Sequence, residues 1–344
     1  MADPLIWVRA IHFASTISVA GVVFFLAFVG EPAFRAADKG ARTPALVRSL
    51  LARVEWIGLA FVLMTGAAWL ILQAQQMSER PLAAVFSEGM VWTVLSDTDF
   101  GSVWLVRFAL IVLLALALYW FGFTEPANQK WSRGITLALA AGLVGTLALV
   151  GHAGAGAGIE GNVHLSADIL HLVAASAWVG ALVPLAVLLG AARRSEDHAS
   201  LLVAREATLR FSTLGIASVG TLLATGIVNT WELAGGVPAL FGTDYGRLLL
   251  AKIALFLVML SIAAVNRLRL TPDLVQELDV SARQDALRQL RNNSLVEATV
   301  GAIILFIVGW LGTLPPALDD AAAALSGQSH ARTCYLFPPR LQGG

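Results

Sequence analysis

The chain has 344 residues, 57% of them hydrophobic and 13% charged, against roughly 25% charged residues in a soluble globular protein, so lipid rather than water is its expected solvent. A formal net charge of zero leaves no overall field to gather nucleic acid or an acidic partner. The single cysteine, Cys334, excludes disulfide frameworks, CxxC redox pairs and thiolate cages, so any metal site has to draw on His, Met, Asp or Glu.

The N-terminal segment MADPLIWVRAIHF lacks a basic region followed by a cleavage site, so the first apolar run is expected to stay in the protein. A hydrocarbon core of about 30 Å takes about 20 helical residues to cross. The first run of that kind is Leu5 to Val29, and it contains His12, which at a rise of about 1.5 Å per residue lies roughly 10 Å below the membrane surface. Val54 to Leu72 is the second run. The loop after it holds Met77 and Met90, which read as packing residues because no Met-x-x-Met cluster accompanies them. The third run is Val103 to Phe123; its Arg107, like Arg9 in the first, is expected to snorkel to the interface. Ile135 to Val150 is the fourth and is short. It is followed by GHAGAGAGIEGN, which lacks the Lys-Ser/Thr ending of a phosphate-binding loop.

The fifth run is Asp168 to Leu189, the sixth Phe211 to Val228, the seventh Leu248 to Val265 and the eighth Leu295 to Leu314. Lys252 near the start of the seventh is expected to snorkel, Glu297 to stabilise the start of the eighth helix, and Trp7, Trp56, Trp104, Trp131 and Trp310 to anchor helix ends at the interface. The stretch LVQELDVSARQDALRQLRNN before the eighth run reads as an amphipathic surface helix or as a solvated connector. Continuous rather than alternating runs favour helices over a barrel. The expectation is an all-α polytopic bundle of about eight spans over residues 1–317, with 318–344 as a disordered tail. Lys and Arg crowd the loops after runs one, three, five and seven, whereas those after two, four and six hold only Arg80 and Arg247. Both termini are therefore expected outside.

Of six histidines, His12, His152, His164 and His171 fall at the outer ends of runs or in the outer loop between the fourth and fifth. His164, Asp168 and His171 are spaced by four and three, which puts all three on one helical face. Ionisable groups inside a membrane cost several kcal/mol and mark a function or a pathway. Imidazole with carboxylate suits Cu(II), Zn(II) or Ni(II), so His12, His152, His164, Asp168 and His171 are the expected metal ligands. Asp168 fits equally as the group that orients a neighbouring imidazole. A second reading is a b-type haem held by two imidazoles.

The segments IHFASTISVAGVVFF, GHAGAGAG, DILHLVAASAWVGALVPL, RFSTLGIASVG with TGIVNTW, YGRLLLAKIALFLVMLSIAAVNRLRLTP and LRNNSLVEATVGAIILFIVGWLGTLPPA together resemble the copper-resistance protein D (CopD) family. The resemblance covers most of Ile6 to Ala317 and is strongest from His152 onward. It implies a non-enzymatic, multi-pass inner-membrane protein of copper homeostasis that moves copper from periplasm to cytoplasm. It also implies a separate periplasmic copper-binding partner of the CopC kind, and assigns the family's histidines to His12, His152 and His171. His164 rests on helical spacing alone.

Overall fold

The computed structural model describes residues 3–36, 43–121, 129–151, 158–195, 197–234, 237–275 and 280–318. Among these residues there is no strand, and eight helices are long and apolar enough to cross a membrane. They are α1 (Pro4–Ala36), α2 (Thr43–Ser78), α3 (Asp99–Trp120), α4 (Lys130–Leu149), α5 (Gly158–Ser195), α6 (His198–Leu233), α7 (Asp244–Leu274) and α8 (Ala282–Leu311). Two short helices, Leu82–Ser87 and Met90–Asp97, link α2 to α3, and a third, Val237–Gly242, links α6 to α7.

Local chemistry fixes several starts. Asp3 accepts from the Leu5 amide at 2.9 Å ahead of Pro4, an N-cap followed by the one helical position that wants no amide hydrogen. Thr98 and Thr243 each accept from an amide three residues on, Gly101 and Gly246, at 3.0 Å. The π-helical turns Leu26–Gly30 and Asn266–Leu270 each lie just before a proline, Pro32 or Pro272. A proline ring clashes with the carbonyl four residues earlier and removes one amide donor, which a widened turn relieves.

Consecutive helices run antiparallel. Two-thirds of the apolar window (67%) is buried in both α1 and α5, against 17% in α6 and 11% in α7. The first pair therefore forms the centre, and the second faces lipid on most of its surface. α1 and α5 cross where Gly21 meets Gly180: a Cβ on Gly21 would strike the Gly180 backbone, and one on Gly180 would lie 2.9 Å from Gly21 Cα. Without a hydrophobic drive between helices in lipid, such backbone proximity supplies packing energy. The expected surface helix before the eighth span is instead the start of one continuous helix, Val280–Leu311. Its Leu287 and Leu290 are buried against α5 and α6 residues such as Leu189 and Val203. The amphipathic face thus meets protein and not the membrane surface.

Candidate functional site

At the end of the bundle where α1 and α5 begin, two polar clusters sit inside apolar surroundings. In the first, on α5, α6 and α7, His171 Nδ1 lies 3.0 Å from Thr225 Oγ1. The Thr225 hydroxyl donates to the Thr221 carbonyl at 2.7 Å, so toward the ring it can only accept. That assigns the proton to Nδ1 and the lone pair to Nε2. Asp168, just short of a turn earlier on α5, accepts from Asn229 Nδ2 at 3.1 Å, and Asn229 lies one turn beyond Thr225 on α6. The antiparallel pair is thus in register over two polar rungs. From α7, Tyr245 and Lys252 lie within electrostatic range of Asp168, and Lys252 also within that of His171. His164, one turn before Asp168, is buried. A cleft of about 470 Å³ between α5 and α6 runs from Ile159 and Asn162 to Thr225.

The second cluster, on α1 to α4, centres on His12, which is fully buried. Its Nδ1 lies 3.0 Å from Thr65 Oγ1, and that hydroxyl donates to the Phe61 carbonyl, so Nδ1 again carries the proton. Here Nε2 is also engaged, accepting from Arg107 Nη2 at 2.6 Å. Arg107 also donates to Thr146 Oγ1 at 2.7 Å and to the Leu143 carbonyl at 3.2 Å. Trp69 and Trp104 flank the imidazole at 5.6 and 5.3 Å between centroids. The Arg9 guanidinium stacks 4.6 Å over Trp69, and that of Arg107 lies 5.2 Å from the Trp104 ring. Both arginines and both tryptophans are buried. The snorkelling expected of Arg9 and Arg107, and the interfacial place expected of Trp104, are thus corrected: buried cations are tolerated here through aromatic faces and carbonyls. Trp7, Trp56, Trp131 and Trp310 are exposed as a belt requires.

The five expected ligands therefore divide. His164, Asp168 and His171 share one face of α5; His12 belongs to the other cluster; His152 lies outside the described residues. Among the described residues no three His, Cys, Asp or Glu side chains converge as a preformed metal cage. Sequence reasoning missed Thr65, Thr225 and Asn229, and gave Arg107 the wrong surroundings. The available signal was a Thr-Gly pair inside each of two otherwise apolar helices, at Thr65-Gly66 and Thr225-Gly226. At the opposite end, Asn266 donates to Glu297 at 2.7 Å and accepts from Asn293 at 2.7 Å. The helix-start role expected of Glu297 is thus corrected: α8 begins at Ala282, well before it, and Glu297 is held in a side-chain network instead.

The family model described as Copper resistance protein D matches residues 205–311, and the one described as Copper resistance protein D-like, N-terminal domain, matches residues 1–162. The chain is 30% identical over 324 residues to Copper resistance protein D of Pseudomonas syringae pv. tomato, covering 93% of this chain and 99% of that protein. It is 29% identical over 320 residues to Inner membrane protein YebZ of Escherichia coli strain K12, covering 92% and 99%. Copper transport protein CutJ of Bacillus subtilis is 31% identical over 266 residues, 75% of this chain and 45% of that protein.

Proposed function

Because the chain belongs to the copper resistance protein D family, we propose that it carries copper as cargo across a bacterial inner membrane, taking the ion at the His171–Asp168 site and passing it from periplasm to cytoplasm. The observation that carries this reading is the hydrogen-bond pattern at His171. Thr225 holds the Nδ1 proton, so Nε2 presents its lone pair in a cluster that contains the Asp168 carboxylate. An imidazole nitrogen beside a carboxylate, with His164 one turn further out, is a donor set that takes copper. Asn229 on Asp168 and Thr225 on His171 orient the two donors, as outer partners do in metal sites.

His12 takes a different part in this reading, since both of its ring nitrogens are engaged. The same engagement argues against haem, because His12 offers no nitrogen for an axial bond opposite His171. The polar network at Asn266, Glu297 and Asn293 is the next station along the path, about 20 Å from Lys252 by the rise of α7. The sequence carries no nucleotide-binding motif, so movement is driven by a gradient or by handover from a separate CopC-like periplasmic protein. The protein is a carrier in this account and not an enzyme.

Metal analysis of the detergent-purified protein, loaded with copper under reducing and oxidising conditions, tests the reading. About one copper per chain is expected, lost in His171→Ala and weakened in Asp168→Asn, with uptake into proteoliposomes falling in step. Copper retained in full by both variants, or a stoichiometric Soret band, would overturn it.

A further inference from the structure

The two polar clusters are related by more than composition. His12 and Gly21 on α1 are separated as His171 and Gly180 are on α5, and Gly21 and Gly180 are the two residues that meet at the central crossing. Thr65-Gly66 on α2 matches Thr225-Gly226 on α6. Both imidazole Nδ1 to threonine distances are 3.0 Å, and both threonines donate back to the carbonyl four residues earlier. The start of α3, Thr98-Asp99-Phe100-Gly101, matches that of α7, Thr243-Asp244-Tyr245-Gly246, and six residues past the glycine stand Arg107 and Lys252, each followed by a residue and Ala-Leu.

The geometry repeats there too. Gly101 and Gly246 both donate to the capping threonine at 3.0 Å. A Cβ on either would run into the same part of the short helix before it, Val94 and Leu95 in one case, Ala239 and Leu240 in the other. Chance does not reproduce the sequence, the cap, the clash and the imidazole bond in one order on three successive helices. Four helices per unit is an even number, so both copies cross the membrane in the same sense, as parallel repeats about an axis along the membrane normal do.

Aligned in this way, the copies differ where charge matters. The position of Asp168 is Arg9 in the first unit, that of Asn229 is Trp69, and that of Lys252 is Arg107. The Asp168–Asn229 hydrogen bond of 3.1 Å has become Arg9 stacked 4.6 Å over Trp69. Arg107 reaches His12 Nε2 at 2.6 Å, whereas among the described residues Lys252 makes no hydrogen bond to His171. We infer that the chain is a tandem duplication of a four-helix unit in which only the second unit offers its imidazole nitrogen to a cation, while in the first Arg107 occupies the same position, leaving a latent second copper site at His12.

The metal named here rests on the copper reading above; the duplication and the occupied nitrogen do not. Copper per chain is expected to be one in the wild type and one in His12→Ala. It should rise to two in Arg9→Asp/Arg107→Lys, which restores the second unit's charges, and return to one when His12→Ala is added. Loss of copper in His12→Ala, or a folded Arg9→Asp/Arg107→Lys protein that stays at one, would overturn the inference.

A second measurement needs no copper and no charge reversal at Arg9. Thermal unfolding in chelator of His12→Ala, Arg107→Lys and their combination should be non-additive, because the pair shares a bond. His171→Ala and Lys252→Met should couple more weakly, since that pair interacts through electrostatics without a shared bond. Additive shifts for the first pair, or equal coupling in both pairs, would sink the occupied-nitrogen claim even if the protein proved to bind no copper. A wild type without copper, with the first pair strongly coupled and the second weakly, would instead remove the copper reading and leave the duplication standing.

Discussion

In the proposed copper site, Thr225 serves His171 without touching cargo. Its hydroxyl spends its proton on the Thr221 carbonyl and so pins the imidazole tautomer. Thr225→Val keeps the volume but leaves the Nδ1 hydrogen unpaired, at a cost of about 1–3 kcal/mol, and frees the ring to present the wrong nitrogen. Copper affinity, read by competition with a chelator, is expected to fall about 10–100-fold, and Thr225→Ser to restore it; equal losses in both variants would mean that the methyl packing matters and not the hydroxyl. At the opposite end, Asn266→Ala removes the bridge between Asn293 and Glu297. It should lower the thermal midpoint by more than an exposed change such as Ser261→Ala. The histidines were legible in the sequence because an imidazole is costly in lipid wherever it sits. Thr65 and Thr225 were not, since threonines in membrane helices commonly bond their own backbone, and only the register of a neighbouring helix reveals the second bond. Arg107 was misread for the same reason. Snorkelling depends on what surrounds the stem, and a single helix does not contain its neighbours.

Among helices, the crossing of α1 and α5 sets how closely the two halves approach. Gly21 and Gly180 meet backbone to backbone, so Gly180→Val has to push the helices apart, and overpacking of this kind costs about 1–3 kcal/mol or more. Gly134 and Gly220 have nothing within 4 Å of a would-be Cβ, so Ala there should leave stability unchanged or raise it by up to about 1 kcal/mol. Thermal unfolding of the three variants separates the cases, and a neutral Gly180→Val would remove the crossing from the account. All eight helices announced themselves in the sequence as apolar runs, yet most are longer than their runs. α2 begins at Thr43 and α6 at His198, well before the apolar stretches from Val54 and Phe211. Hydropathy senses only the part of a helix in hydrocarbon, and the charged turns beyond it are held by contacts such as Arg48 on Glu31 at 2.7 Å and the Asp197 cap on Ser200 at 2.6 Å. The duplication was also present in the sequence as Thr-Asp-aromatic-Gly followed by a cation six residues past the glycine. It is masked because the connection before it is two short helices in one half and one in the other, so no single offset aligns the whole chain.

For the molecule as a whole, the direction of copper movement depends on which way the bundle sits. α1 and α5 start at the same end, and with them His12 and His171, because three antiparallel helices, α2 to α4, lie between them. From the uneven distribution of Lys and Arg, that end is the one expected outside. Cys334 is the only native cysteine, so Cys334→Ser gives a clean background for labelling. Glu88 lies in the connection at the histidine end, with 42% of its side-chain surface exposed, and Arg194 is exposed at the opposite end of α5. In spheroplasts, a membrane-impermeant maleimide should label Glu88→Cys and spare Arg194→Cys until the membrane is permeabilised. That outcome puts the His171 site where periplasmic copper reaches it and makes uptake the direction a concentration gradient would drive. The reverse pattern would put the same imidazole and carboxylate on the cytoplasmic side, and the identical chemistry would then have to load copper from within and release it outward.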